Sequence, residues 1–211
     1  MTHIGHSGKM FVMRTFIVAI LILIFTLPTS SQADDIRDFQ IEGMSIGDSA
    51  LDYMGESEIK KYDSPNYPQY PSSDKYKSAY LARESFQLYK RVKIAYLKDD
   101  KKYIIESLNG IIYFPNNIKG CLKLKKKIEK EFDTIFTNAK KKSGTIKKAY
   151  ENTGKSTTTI TEFILPSKDA AVISCDDWSN EMTEKENLND QLNVRLESKN
   201  FGDFLIYEAY K

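Results

Sequence analysis

Histidine is the first shortage of this chain. Its 211 residues include two, His3 and His6. Both precede an almost unbroken apolar run from Thr15 to Leu27 (TFIVAILILIFTL). Lys9 and Arg14 stand before that run, and Pro28-Thr29-Ser30-Ser31-Gln32-Ala33 comes after it. A basic stretch, an apolar stretch of roughly 7–15 residues and a small-x-small end make a secretory signal. The expected division is a signal over residues 1–33 and one domain over residues 34–211. The run is short for a spanning helix, which needs about 20 apolar residues. Retention as an N-terminal anchor is the open alternative. No later segment is apolar and long enough to span, so the expected location is periplasmic or secreted.

A chain that starts near Asp34 contains no histidine. That excludes Ser-His-Asp and Cys-His catalysis and the usual His-containing zinc and iron sites. Any general acid or base would be Asp, Glu, Lys or Tyr. No P-loop, GxGxxG, EF-hand or GxSxG pattern occurs. We therefore expect no catalytic residue, no metal and no cofactor. Glycine (10) and proline (6) are also scarce, which excludes collagen-like and low-complexity chains. The acidic run Asp176, Asp177, Glu181, Glu184 and Glu186 matches no calcium-loop spacing.

Cysteine is limited to Cys121 and Cys175. Export puts a chain where disulfides persist, and two cysteines allow one intramolecular pair. We expect that bridge to tie the start of a helix to the end of a strand.

Charge of either sign is not in excess. The formal net charge is +2, and loss of Lys9 and Arg14 makes it +2 − 2 = 0. Nucleic acid is therefore not an expected partner. The distribution is uneven. Residues 34–74 carry 10 acids and 3 bases, residues 119–148 carry 11 Lys and 3 acids, and residues 176–211 carry 9 acids and 4 bases.

The rest of the chain reads as α+β. Ser45 with Asp48 resembles a capping box opening a short helix that Gly55 would stop, with Ile46, Ala50, Leu51 and Met54 on one face. Tyr62 to Asp74 (YDSPNYPQYPSSD) excludes helix and central strand. It is expected to be a loop pinned by its tyrosines. Phe86 to Tyr96 and Tyr103 to Phe114 look like a meander, with Asn109-Gly110 as a hairpin turn or a bulge. A long helix capped by Asn116 or Asn117 should run to about Asn138. Lys140 to Lys155 is polar and turn-rich. Strands are expected at Thr157–Leu165, Ala170–Cys175 and Gln191–Ser198 around an acidic loop, and Phe201–Tyr207 is a short helix or a last strand. The economical packing is an antiparallel β-sheet of about five to seven strands with the long and the short helix on one face. Ile128, Phe132, Ile135 and Phe136 would be buried against Ile94, Ile105 and Ile112.

Three stretches carry a resemblance. They are Gly43 to Ser49 (GMSIGDS), Ile111 to Cys121 (IIYFPNNIKGC) and Cys175 to Ser179 (CDDWS). Together they resemble small secreted proteins of Pelagibacter-type marine alphaproteobacteria over most of the chain after the signal. That resemblance implies export and brings no reaction with it. The Gly-Met-Ser-x-x-Asp opening is also similar, over about a dozen residues, to the first helix of outer-membrane assembly lipoprotein and β-lactamase-inhibitor-like modules. Ser49 replaces the usual aliphatic residue, and the lipid-attachment Cys is missing. The similarity implies a binding module.

Three functions stand as expectations. One is a non-catalytic exported protein that binds a protein or an envelope component. The second is a carboxylate-dependent hydrolase of envelope glycans, which would need a pocket with two carboxylates at catalytic separation. The third is contact with an anionic surface through Lys119, Lys123, Lys126, Lys127 and Lys130, in a basic run that also includes Lys125 and Lys140 to Lys142. Oligomeric state leaves no mark in the sequence.

Overall fold

The computed structural model describes residues 35–63, 70–148 and 154–211. The signal, its cleavage site and residues 64–69 of the Tyr-Pro stretch lie outside them. Seven strands form one sheet: β1 (Tyr76–Leu81), β2 (Arg91–Leu97), β3 (Ser107–Tyr113), β4 (Lys140–Lys147), β5 (Thr157–Ile164), β6 (Ala170–Asp177) and β7 (Gln191–Glu197). Their order is β1-β2-β3-β7-β6-β5-β4, and every neighbouring pair is antiparallel. Among the described residues four α-helices accompany it: α1 (Glu56–Tyr62), α2 (Ile118–Ile135), α3 (Asn180–Glu186) and α4 (Lys199–Tyr207). No described helix is long and apolar enough to cross a membrane.

The topology is two meanders laid edge to edge, joined where β3 meets β7. Helix α2 must carry the chain from β3 at the centre to β4 at the far edge. Four strand spacings are about 19 Å, and 18 helical residues rise about 27 Å. The helix thus reaches across in one stroke, packed on β6 and β7. Asn117 caps it by accepting from Gly120 N–H at 3.0 Å.

Alternation separates the two faces of the sheet. Val92, Ile94, Leu108, Leu192, Val194, Leu196, Ala171, Ile173 and Phe163 are buried in the main core. Helix α2 covers part of it with Ile128, Phe132 and Phe136, and Phe132 meets Phe163 with ring centroids 5.7 Å apart. The N-terminal segment completes the same core with Ile36, Ile41, Met44 and Ile59. The helix packs on β6 and β7 and on Phe163 of β5; of the residues expected against it, Ile94 and Ile105 belong to the same cluster, and Ile112 and Ile135 are only partly buried against it.

Cys121 and Cys175 are bonded, with Cα atoms 6.0 Å apart. The bridge joins the first turn of α2 to β6, and both cysteines are fully buried.

Several local expectations are corrected. The segment after Ser45 forms only a 3₁₀ turn at Ala50–Asp52. Asp48 does accept from Ser45 N–H at 2.8 Å, as a capping box would. Gly47, at φ +91°, breaks any helix there. Gly47 N–H instead donates to Ile105 O, Ile105 N–H to Asp48 O and Ala50 N–H to Tyr103 O. Gly55 opens α1 as its N-cap rather than closing a helix.

Phe86 to Lys90 is not strand. The Glu42 carboxylate accepts from the backbone N–H of Gln87, Leu88 and Tyr89 at 2.8–3.0 Å, which removes them from any ladder. Asn109-Gly110 is neither turn nor bulge but unbroken β3, with Asn109 opposite both Lys93 and Arg195. Glycine is required at 110 because an added Cβ would lie 2.5 Å from the Tyr89 ring. Lys140–Lys147 is the edge strand β4 rather than a loop, and all eight residues are exposed. The acidic loop contains α3, capped by Ser179, and Phe201–Tyr207 is helical.

Candidate functional site

The second face of the sheet is different in kind. Its β1–β2 end carries a small aromatic cluster of Tyr70, Tyr76, Ala95, Phe201, Phe204 and Ala209. Helix α4 supplies Phe201 and Phe204, and Ser198 caps that helix by accepting from Phe201 N–H at 3.1 Å. Tyr70 stands edge-on to Phe204 at 5.0 Å and shares a hydrogen bond with Ser78 at 3.0 Å. At Tyr70, the expectation of a loop pinned by its tyrosines holds.

Beside this cluster lies a cavity of about 220 Å³ between α4 and the sheet. Its walls are Tyr70, Lys93, Ala95, Ser107, Asn109, Arg195, Phe201, Leu205 and Tyr210. Strand pairing assembles the floor. Lys93 lies opposite Asn109, and Asn109 opposite Arg195, so one cross-strand row presents cation, amide, cation. Ala95 and Ser107 form the next row. The lining contains no carboxylate.

Lys93 sits between two aromatic rings, with Nζ 5.5 Å from the Tyr70 centroid and 5.2 Å from the Tyr80 centroid. Cation–π contact of this kind favours the ammonium. No hydrogen bond or ion pair of Lys93 occurs among the described residues. Burial, and then the charge of Arg195, lower its pKa to about 8. At neutral pH it is still mostly protonated. Burial also pushes the Tyr70, Tyr80 and Tyr210 phenols up, so they remain neutral. Arg195 Nε lies 2.7 Å from Glu197 Oε2 as an ion pair, off hydrogen-bond geometry. Counting the lining and its direct ion pair, two cations against one carboxylate leave one net positive charge.

The amide of Asn109 is fixed by a chain of partners. The Asp176 carboxylate accepts from Thr158 at 2.7 Å, Lys148 at 2.9 Å and Asn193 Nδ2 at 3.1 Å. Asn193 must then present Oδ1 to Asn109, whose Nδ2 donates to it at 3.1 Å. Asn109 Oδ1 is left without a hydrogen bond among the described residues, although Asn109 is 9% exposed. An unmet buried acceptor costs about 1–3 kcal/mol.

The site residues expected from sequence lie elsewhere. Lys119, Lys123, Lys126, Lys127 and Lys130 are all exposed on α2, away from the first-face core. Lys125 does not belong with them. It is 5% exposed, donates to Thr161 Oγ1 at 2.7 Å and pairs with Glu129 at 3.3 Å. Of the continuing lysines, Lys141 pairs with Asp133 at 2.8 Å. The acidic run does not converge. Asp176 is engaged by Thr158, Lys148 and Asn193, and no group of three metal-ligating side chains occurs among the described residues.

Comparison with protein-family models, curated proteins and solved structures found no match for the chain. The cavity and the surface are therefore the grounds on which a function can be argued. The cavity is not legible in the sequence because its residues come from three strands, α4 and two loops. One signal is present: Lys93 interrupts the apolar run Val92-Lys93-Ile94-Ala95-Tyr96 of a central strand, where an unpaired cation is disfavoured.

Proposed function

We propose that the chain is an exported, non-catalytic binding protein of the periplasm or the extracellular space. Its ligand is an envelope component that enters the cavity under α4. The observation that carries this reading is the Lys93 ammonium, which faces that cavity with no acid beside it. Lys93 is half-buried, and a charge held partly out of water without a carboxylate beside it is disfavoured, which a ligand would relieve. The buried disulfide supports export. The lining supports binding over glycan hydrolysis, because a carboxylate pair is not among its residues.

Native mass spectrometry of the protein purified from its own envelope fraction tests the reading. A small molecule retained by the wild type and lost from Leu205→Trp, which fills the cavity from the helix side, is the expected result. A protein that is always empty, and whose exported form hydrolyses glycans, would overturn it.

A second reading is favoured by one observation. Lys119, Lys123, Lys126, Lys127 and Lys130 are exposed, and no ion pair of theirs occurs among the described residues. Each lysine close to an anionic membrane is worth about 1 kcal/mol. Cosedimentation with anionic vesicles that weakens as salt rises would support surface contact, and salt-independent or absent binding would remove it.

A further inference from the structure

The lining of the cavity under α4 selects a chemical class of ligand, provided that the cavity is the binding site proposed above. We propose that it takes a small monocarboxylate with a short apolar or aromatic tail and one hydrogen-bond donor near the carboxylate. Lys93 and Arg195 hold the carboxylate, Asn109 Oδ1 accepts from the donor, and the tail lies against Phe201 and Leu205.

Four observations converge on this class. The first is charge. Lys93 and Arg195 against Glu197 leave one net positive charge, which a monoanion neutralises. A phosphate dianion would leave a buried excess of negative charge. The second is the unmet acceptor. Asn109 Oδ1 belongs to the residue between the two cations in the cross-strand row. Its Nδ2 donates one hydrogen to Asn193 Oδ1, which fixes the amide orientation and leaves Oδ1 as the atom still without a partner among the described residues. A bare carboxylate would leave this oxygen unsatisfied, whereas an α-hydroxy or N-acyl acid would satisfy it. The third is the wall. Phe201, Leu205, Ala95 and the Tyr70 ring form an apolar side opposite the charged floor, which suits a ligand that is charged at one end only. The fourth is size. A volume of about 220 Å³ is below the roughly 300–1,000 Å³ of drug-sized pockets. It matches about seven waters at about 30 Å³ each, so the part of the ligand held inside is small.

Titration calorimetry on the full exported chain, unfolded and refolded to remove any resident molecule, tests this with named probes. These are 3-phenyllactate, 3-phenylpropionate, 3-phenylpropanamide and phenyl phosphate. We expect 3-phenyllactate to bind at least tenfold tighter than 3-phenylpropionate, which lacks the hydroxyl. The neutral amide and the phosphate should bind at least tenfold more weakly than 3-phenyllactate. Lys93→Met keeps the apolar stem and should weaken 3-phenyllactate at least tenfold with no loss of thermal stability. Leu205→Trp should abolish binding by occupying the space, and it decides the matter if Lys93→Met fails to fold. No measurable carboxylate binding would overturn the proposal. Equal binding of the acid and the amide would overturn it too, as would a Leu205→Trp protein that binds as the wild type does. A neutral molecule found in the native protein would sink the carboxylate assignment while leaving the binding-protein reading intact.

Discussion

The two faces of one sheet do opposite things with the same alternation. On the first face the inward positions from β2 to β6 are apolar, and the polar side chains that enter, such as Lys125, arrive paired. On the second face the inward positions of β2, β3 and β7 read Lys93, Asn109 and Arg195, and Lys93 Nζ, Asn109 Oδ1 and Arg195 Nε lack hydrogen bonds among the described residues. Burial of apolar area stabilises a domain at roughly 25 cal/mol per Å², so the first face explains why the chain folds. The second face retains groups that oppose folding. A strand position that keeps an unpaired cation, where valine would pack, is better explained by a ligand than by stability.

The largest effect that separates the faces is on the first. Phe132 is 5% exposed and meets Phe136 and Phe163 edge to face. Phe132→Ala should lower stability by about 3–5 kcal/mol, as emptying a core aromatic site does. Urea unfolding would measure it. A loss below about 1 kcal/mol would mean that α2 is held on by something other than its apolar stripe.

The disulfide comes next. It closes a loop across 54 residues of sequence, for which the chain-entropy model gives about 4 kcal/mol before any strain. The double variant Cys121→Ala, Cys175→Ala should lose about 2–4 kcal/mol and should still bind ligand in the cavity on the opposite face. Loss of binding at a temperature where the double variant is folded would show that the two faces are coupled.

The legible part of the fold is the part whose apolar residues repeat or form a bounded run. Helix α2 repeats against a core, β5 and β7 alternate in sequence, and β6 is an apolar run buried along nearly its whole length. The cysteine pair can be read because export and count leave one pairing. Strand β4 cannot, because KKKSGTIK buries nothing. Its strand state comes from main-chain pairing with β5, which side chains do not encode. Strand β1 cannot, because both of its faces are partly covered, in the pattern buried, intermediate, buried, buried, intermediate, buried, so no period of two survives. The turn at Ala50–Asp52 imitates a helix start in the sequence because Asp48 reaches Ser45 in either structure. Only the distant carbonyls of Tyr103 and Ile105 decide between them. The lysine face of α2 is readable as a face, but Lys125 is separable from its neighbours only once Thr161 and Glu129 are in place.

On the second face the sign of the effect should reverse. Burial lowers Lys93 from its ordinary 10.5 to about 8. Between those values the unfolded chain binds more protons than the folded one, so stability rises with pH through that window. At pH 7 the folded protein carries the full penalty of the buried ammonium. Lys93→Met should therefore stabilise the ligand-free protein by about 1–2 kcal/mol at pH 7, less than the whole shift implies because the side chain remains partly exposed. The gain should fade as pH rises from 8 toward 10.5. The other titratable groups facing it are Tyr70, Tyr80, Tyr210 and the Arg195–Glu197 pair. The tyrosines are all raised from their ordinary 10.0, so they lower stability only near the top of that window, where the unfolded phenols ionise, and they do so in wild type and variant alike. Thermal melts at pH 7 and pH 9.5 would measure the difference. A destabilised Lys93→Met at pH 7 would mean that the two tyrosine rings hold the ammonium more strongly than burial repels it.

The smallest expected change concerns α2 itself, and it tests whether position rather than residue type decides the role of a lysine. Lys126, Lys127 and Lys130 are exposed. Glutamine has nearly the same helix propensity as lysine. The triple change Lys126→Gln, Lys127→Gln, Lys130→Gln should shift stability by less than about 0.5 kcal/mol, as exposed sites usually do. Lys125→Gln, one residue away, removes the cation that pairs with Glu129 inside the first face. Breaking this pair leaves the largely buried Glu129 carboxylate with Thr161 at 2.7 Å and the more distant Lys141 at 3.8 Å, so this single change should destabilise more than the other three together. Parallel urea melts of the two variants make the comparison directly. If the triple variant were the less stable, the exposed lysines would be holding the fold itself. Their availability to an anionic surface would then be the idea to abandon.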